Sequence, residues 1–469
     1  MDKNNGESAS THSPNIAGAR VTVVGLGIEG IDLTRFLAAN GAHVTVSDIR
    51  MAEELGDELE AIAGSNATIS LGATREQDLL NSDYVFVSQG VPSELPVLQA
   101  AKRAGIPLSS MTRLFLELCP APIAGITGSS GKTTTTALVG AMLEAAEADY
   151  VVGGNIGVGL LGLLEQIEPH TRVVLELSHT QLESVWQSPH IACVTNLTPN
   201  HLDRYSWSSY VDLKRRIFEF QKDSDLAIFN IDDPVTAGFV EEAPGRVRFT
   251  SVIQPLPGDG VTISGGSVVR IEDGHETAVI PRTEIPLRGE HNVANVVSAV
   301  AIASELGVGV KAAAAGIRGF SGVPHRLELV STVRGVSYIN DSIATTPERA
   351  LAGIRAFEQP LILLLGGRDK HLPLTELARE ATARCRAVVT FGEAASIFAE
   401  AITEARDGRQ PHVEEVASLQ NAVTVAARLA HEGDVVLCSP GGTSFDAYRN
   451  FELRGSDFQN AVMALVRSV

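Results

Sequence analysis

Cysteine is scarce in this chain. The four that occur in 469 residues (Cys119, Cys193, Cys385 and Cys438) are scattered, with no close pair of metal-ligand type. This excludes a disulfide framework and a cysteine-built zinc site, and makes a reducing cytoplasm the expected compartment. Hydrophobic runs are short, and none approaches the ~20 apolar residues of a membrane-spanning helix. Positive charge is outnumbered, with 37 Lys and Arg against 56 Asp and Glu and a net charge of −19. That balance argues against nucleic acid or an anionic membrane as a general partner, because both need positive surface. It leaves nucleotides open, since local donors and metal ions can meet their phosphates. The opening MDKNNGESASTHSPN has no apolar core, so it is not a signal peptide, and residues 1–18 are expected to be a disordered extension. What remains is an ordinary globular composition, 44% apolar and 20% charged, long enough for about three domains at roughly 150 residues each.

Alternation of β-branched runs with helical periodicity divides the chain into three α/β blocks. The expected architecture is a Rossmann-like domain (19–111), a central P-loop domain with a mostly parallel sheet (112–322) and a C-terminal Rossmann-like domain (323–469). In the first block a strand at 21–24 leads into Gly25-Leu-Gly27-Ile-Glu-Gly30 and a helix, then a strand at 43–47 ending at Asp48. In the second, strands are expected at 172–177, 191–196 and 226–230, with helices at 208–221 and 292–306. Residues 245–287 break into short Val/Ile/Thr pieces that read as a β insertion or flanking sheet. The third block carries strands at 336–340, 361–365, 387–391 and 435–438, and a last helix through Phe458.

The most informative stretch is Gly125-Ile-Thr-Gly128-Ser129-Ser130-Gly131-Lys132-Thr133-Thr134. Its glycines let backbone N–H groups turn toward phosphate oxygens, the helix that follows offers its positive end, and Lys132 supplies a mobile charge. Thr133 stands where such loops hold Mg²⁺. The strict GxxxxGK[ST] spacing fails, because Ile126 occupies the first glycine position. Gly25, Gly27, Gly30 and Asp48 fit the dinucleotide fingerprint. The same turn serves any nucleotide diphosphate, and no hydride-transfer site accompanies it, so a diphosphate such as a UDP-sugar is favoured over NAD. Glu176 ends a strongly apolar strand and should share the crevice of the P-loop, where it can complete a Mg²⁺ shell. His201, in the next polar strand end, reads equally as a metal ligand, a general base or a structural histidine. Lys214, from its helix alone, reads as a surface lysine.

These motifs resemble, in order, those of the ATP-dependent Mur ligases of peptidoglycan synthesis. The series is ITGSSGKTTTT, GGNIG, ELSHTQLE, NLTPNHLDRY, GEHNVANV, PHR, NDSIATTPE and SPGGTSFDAYRNFELRG, and it covers nearly everything from Arg20 onward. The last run is most similar to the branch that adds D-glutamate to UDP-N-acetylmuramoyl-L-alanine. The resemblance implies a ligase that phosphorylates the substrate carboxylate with ATP and lets an amino group displace the phosphate. It implies that Thr133, Glu176, His201 and Lys214 serve two Mg²⁺ sites, with Lys214 carbamylated, and that Lys132 screens the phosphates. ATP would be held by Gly128, Ser129, Ser130, Gly131, Lys132, Thr133, Thr134, Asn292, Asn295, Arg326 and Asp341. The UDP-sugar would meet Ile28, Glu29, Ile49, Arg50, Gly90, Asn155, Ser178 and His201. Glutamate would meet Thr345, Lys370, Ser444, Phe445 and Phe451, and Lys370 facing a dicarboxylate makes independent sense. A monomer is expected.

The chain departs from the family pattern at three places. Ser130 replaces the P-loop asparagine, His179 and Thr180 replace a serine and an aromatic in ELSSxQLE, and Ile343 replaces the frequent lysine of NDSKAT. The last removes an expected cation near the amino acid and keeps L-glutamate, or another amino acid or UDP-muramyl substrate, open as an alternative. From a different class, GLGIEG alone would support a dinucleotide-binding oxidoreductase.

Overall fold

The computed structural model describes residues 16–155, 159–199, 205–287, 289–369, 372–406, 408 and 411–467. Runs rich in β-branched residues form the first strands: β1 (Arg20–Val24), β2 (His43–Asp48), β3 (Thr68–Leu71), β4 (Tyr84–Val87) and β5 (Leu108–Ser109). All pair in parallel, in the order β3-β2-β1-β4-β5. The strand order reverses between β1 and β4, which places the ligand crevice beyond their C-terminal ends. Gly25 and Gly90 lie there, each with φ +89, a conformation that disfavours any side chain.

The second sheet contains β6 (Ile123–Thr127), β7 (Tyr150–Gly154), β8 (Arg172–Glu176), β9 (Ile191–Val194), β10 (Leu226–Asn230), β11 (Arg246–Thr250), β12 (Gly260–Ser264), β13 (Ser267–Glu272) and β14 (His275–Pro281). Its order is β14-β13-β12-β11-β10-β9-β6-β8-β7. The pairing is parallel from β7 across to β12 and antiparallel only through β13 and β14. The short pieces expected to form an insertion or flanking sheet therefore extend the nucleotide-type sheet itself, because β11 pairs in parallel with β10. β6 runs through Gly125-Ile126-Thr127, so the glycine-rich motif begins inside a fully buried strand.

The third sheet contains β15 (Glu328–Val333), β16 (Val336–Asn340), β17 (Leu361–Gly366), β18 (Cys385–Phe391), β19 (His412–Val416) and β20 (Val435–Gly441), ordered β15-β16-β20-β17-β18-β19. Only β15 is antiparallel to its neighbour. The architecture is α/β with three mostly parallel sheets, as expected from the alternation of strands and helices.

By packing, the chain divides after Phe320 into two compact units. The first holds both of the first two sheets. One apolar core runs through it, from Val21, Val46 and Phe86 by way of Leu114 and Phe115 to Val173, Leu175 and Phe229. The second unit has a core on each face of its sheet, one around Ile362, Val389 and Phe458 and the other around Leu363, Ile354 and Phe398. Among the described residues no helix is long and apolar enough to cross a membrane.

Candidate active site

The turn after β6 is held from behind by the turn after β9. Ser129 N–H donates to Asn196 O at 2.9 Å and Ser130 N–H to Asn196 Oδ1 at 3.0 Å. Thr195 Oγ1 donates to Ser130 O at 2.7 Å. Two glycines are required here. At Gly128 (φ +148) a Cβ would lie 2.1 Å from Thr195 Oγ1, and at Gly131 (φ +80) it would lie 2.2 Å from Asn295 Oδ1. Asn295 is thereby pressed against the loop, and its Nδ2 donates to Asn292 Oδ1 at 3.1 Å. With Ser129 and Ser130 tied to Asn196, the phosphate cradle narrows to the start of the helix Lys132–Ala145, whose first N–H groups lack intrahelical acceptors. Lys132 Nζ reaches Gly128 O at 3.0 Å and Ser129 O at 3.2 Å, over the mouth of the loop. Thr133 and Thr134 occupy the helix's first turn. The Ser130 hydroxyl donates to Asn196 Oδ1 at 3.1 Å, so this departure from the family asparagine is absorbed by its neighbour.

Because β8 is parallel to β6 and next to it, Glu176 emerges beside this loop. It is 2% exposed. Oε1 accepts from Asn155 Nδ2 at 3.2 Å, while Oε2 is buried with no hydrogen-bond partner. A buried carboxylate oxygen without a donor is costly unless a cation meets it. Asn155 is aimed by its backbone, with N–H donating to Glu176 O at 2.9 Å.

Lys214 is not at the surface, as its helix alone suggested. It is 1% exposed, and Nζ donates to Thr127 Oγ1 at 2.9 Å beneath the loop. Its helix (Trp207–Glu219) turns one face inward, burying Tyr210, Lys214, Ile217 and Phe218 together. Burial, with a further push from the Lys132 charge, holds the Lys214 amine well below the usual lysine range, and the nearby Glu176 offsets this only in part. Tyr210, which no motif singled out, lies between Lys214 and Ser129, with its OH 3.2 Å from Ser129 Oγ. His179 stands against Tyr210 and Tyr205, with ring centroids 5.8 and 5.4 Å away.

The rim of the first sheet gathers Ile28, Glu29, Ile49, Arg50 and Gly90. Ile28 and Ile49 are exposed, at 60% and 71%: Ile28 opens the helix that follows β1, and Ile49 follows β2, the neighbouring strand. Asp48, the acid of the apparent dinucleotide fingerprint, is already engaged. Its carboxylate accepts from Leu26 N at 2.7 Å and pairs with Arg50 at 2.9 Å. Its pKa is lowered: the desolvation that would raise it is outweighed by the Arg50 and Leu26 hydrogen bonds. A carboxylate committed in this way is poorly placed to bind a ribose diol. Asp32, on the helix Ile28–Ala39, reaches the second sheet's layer and accepts from Leu161 N at 2.7 Å and Gly162 N at 3.2 Å.

The second unit has its own rim, at the ends of β16, β20 and β17. Asp341 is buried and accepts from Ser439 Oγ at 2.6 Å and Leu327 N at 3.2 Å. Burial pushes its carboxyl up to about 6. Arg326 lies between two non-glycine residues in the left-handed region, His325 (φ +61) and Leu327 (φ +46). Such backbone persists only where the surroundings over-determine it. Here Glu328 accepts from His325 N, and Asn340 holds the His325 ring at 2.9 Å. Thr345 is half-buried, Ser444 is buried, Phe445 is 62% exposed, and Phe451 opens the last helix. Beneath them Arg454, fully buried, donates to Ser342 Oγ (3.0 Å), Ser342 O (2.9 Å) and Gly442 O (3.0 Å), clasping the two loops that carry Thr345 and Ser444. His201 and Lys370 lie outside the described residues.

Three family models match the chain. These are the MurD-like N-terminal domain over residues 19–110, the Mur ligase middle domain over 126–303 and the Mur ligase glutamate ligase domain over 325–442. A UDP-N-acetylmuramoylalanine–D-glutamate ligase from Symbiobacterium thermophilum is 40% identical over 448 residues, covering 95% of this chain and 98% of its own. One from Roseiflexus sp. is 38% identical over 460 residues, covering 95% and 99%. Among solved structures, a UDP-N-acetylmuramate–alanine ligase from Thermotoga maritima shares the fold, with a TM-score of 0.56 at 18% identity over 95% of this chain and 99% of its own.

Proposed function

The chain belongs to the Mur ligase family, and we propose that it joins D-glutamate to UDP-N-acetylmuramoyl-L-alanine with ATP, in the synthesis of peptidoglycan precursors. The observation that carries the reading is the buried Lys214 amine and the unpartnered Glu176 oxygen gathered under one glycine-rich phosphate loop. Four free thiols suit a reducing cytoplasm as its place of action.

The chemistry needs a carboxylate made electrophilic. The γ-phosphoryl group moves from ATP to the alanine carboxylate, breaking its bond to ADP and forming an acyl phosphate. The glutamate amine, having lost a proton, then attacks the acyl carbon. The N–C bond forms, the C–O bond to phosphate breaks, and inorganic phosphate leaves, taking up the second proton that the nitrogen gives up as it becomes an amide. Both steps bring anions together, so screening decides the rate. Lys132 and the start of its helix screen the phosphates.

Glu176 Oε2 and the Thr133 hydroxyl fit a Mg²⁺ site, the former because it is a buried acceptor without a donor. Mg²⁺ bound there would neutralise phosphate charge and favour transfer. Lys214 fits carbamylation because burial favours its neutral amine, the form that attacks CO₂. The N–C bond forms, one N–H proton passes to water, and the neutral amine becomes an anionic carbamate able to serve a metal. Exposed Ile28 and Ile49 suit the two faces of a uracil ring, and Gly90 and the turn after β1 suit the diphosphate.

L-glutamate is the second reading, because Ile343 replaces a frequent lysine. A cation nevertheless stands at this segment, since Arg349 Nη1 donates to Ile343 O at 3.2 Å. Phosphate release with ATP, Mg²⁺, UDP-N-acetylmuramoyl-L-alanine and each candidate amino acid in turn separates the readings. Release is expected with D-glutamate, whereas release only with L-glutamate or a diamino acid would overturn the assignment.

A further inference from the structure

A partly buried polar chain joins the ligand crevice of the first sheet to the end of β8, and Gln89 stands at its centre. Gln89 N–H donates to Glu29 Oε2 at 2.8 Å, and its side-chain Nε2 donates to Glu29 Oε1 at 2.7 Å. An ionised carboxylate only accepts, so this double contact fixes the orientation of the Gln89 amide, with Nε2 on Glu29 and Oε1 facing away. Oε1 then receives Thr180 Oγ1 at 2.9 Å and Ser178 Oγ at 3.3 Å. The two hydroxyls are 2.9 Å apart, and Ser178 Oγ also accepts from Gln181 N–H at 3.1 Å. Thr180 stands where the family pattern has an aromatic residue, which could not close this chain.

The shorter contact to Gln89 Oε1, 2.9 Å from Thr180 against 3.3 Å from Ser178, favours one arrangement of the protons. Thr180 gives its proton to Gln89, and Ser178 gives its own to Gln89 or to Thr180. One Ser178 lone pair is occupied by Gln181 N–H, and the other remains. Ser178 is therefore set as an acceptor.

We propose that Gln89 is a positioning residue for the sugar-peptide half of the substrate. Clamped by Glu29, it presents Ser178 Oγ as a fixed acceptor for an amide N–H of the acetamido or peptide portion, which UDP lacks. Through the same contacts it ties the diphosphate turn to the rim that carries Glu176. The inference rests on the reading that Ser178 contacts the UDP-sugar substrate.

Calorimetric titration with UDP-N-acetylmuramoyl-L-alanine, and separately with UDP, tests it in the full-length protein. Thr180→Val keeps the shape and the Glu29–Gln89 contacts while removing one donor. It should weaken the complete substrate about threefold to fifteenfold, the worth of a hydrogen bond, and leave UDP binding within about twofold. Gln89→Leu should weaken the complete substrate more than Thr180→Val does, and Thr180→Ser should restore wild-type binding. Equal weakening of both ligands, or no weakening of the complete substrate by Thr180→Val, would overturn the positioning role. If the unsubstituted protein does not bind the complete substrate, the function reading fails together with this inference, and that outcome is visible before any substitution is made.

Discussion

Replacing Asp341 with asparagine should make the protein more stable at neutral and higher pH while impairing its use of ATP. The carboxylate is 5% exposed, and its two acceptor contacts are Ser439 Oγ at 2.6 Å and Leu327 N at 3.2 Å. Burial dominates, raising its pKa from 3.8 to about 6 against the lowering contributions of Ser439, Leu327, Arg326 and Arg349. A carboxyl whose folded pKa is raised binds its proton more tightly in the folded chain than in the unfolded one. No cost is present below the unfolded value; the cost builds as pH rises through the interval and is complete above the folded value. A rise of about two units at about 1.36 kcal/mol each makes the ionised group cost roughly 3 kcal/mol above pH 7. Asparagine carries no charge at any pH. It can still accept from Leu327 and can donate to Ser439 once that hydroxyl turns. Urea unfolding across pH 4 to 8 should show variant and wild type nearly equal at the acid end, with the variant ahead by about 1–3 kcal/mol at the alkaline end. ATP-dependent phosphate release should fall in the same variant, on the role at the nucleotide that the resemblance implies for Asp341. A gap that does not change with pH, or a variant less stable at pH 8, would refute the reasoning.

Two further outcomes can be checked by steady-state kinetics. Gly131→Ala forces a side chain into φ +80 and against Asn295. A strain of about 1–2 kcal/mol, plus displacement of Asn295, should raise the KM for ATP at least about tenfold and leave UDP binding unchanged. Lys214→Ala should lower turnover by about 10–100-fold, the usual loss when a metal site loses its support, and a short-chain carboxylic acid should restore part of it. Unchanged turnover would dismiss the carbamate.

Much of the fold was legible in the sequence because parallel strands write themselves as β-branched runs. β10 and β16 fall where the sequence placed them, and most other strands differ only at their ends. The continuation of the sheet through β11–β14 was not legible, because a strand's partner is a long-range fact that its own residues do not state. In the site, motif spacing marked Gly128, Gly131, Lys132 and Glu176. It could not mark Asn196, Tyr210 or Gln89, whose roles come from what they meet across 60 or more residues. Lys214 is the sharpest case. Helical periodicity assigns a lysine to solvent by default, and only its inward neighbours Tyr210, Ile217 and Phe218 reverse that. Asp48 is the opposite case: its spacing was visible, and so was Arg50 two residues later, the group that engages it.

An acidic chain that gathers anionic substrates must arrange its cations by location, since its net charge of −19 works against it. Arg50 is given to Asp48, within the first rim. Arg454 is placed differently, because its three hydrogen bonds all go to neutral oxygens, on Ser342 and Gly442. A guanidinium bonded to neutral acceptors keeps its full charge, and in a poorly screened interior that charge reaches farther than it would at the surface. Burial pulls its pKa downward, yet guanidinium starts so high that it stays protonated at neutral pH. The loops bearing Thr345 and Ser444 thus rest on a fixed positive charge as well as on hydrogen bonds. The rim with isoleucine at position 343 therefore has part of its positive charge beneath the loops, with the Asp446 carboxylate near it, where no motif of exposed lysines would show it.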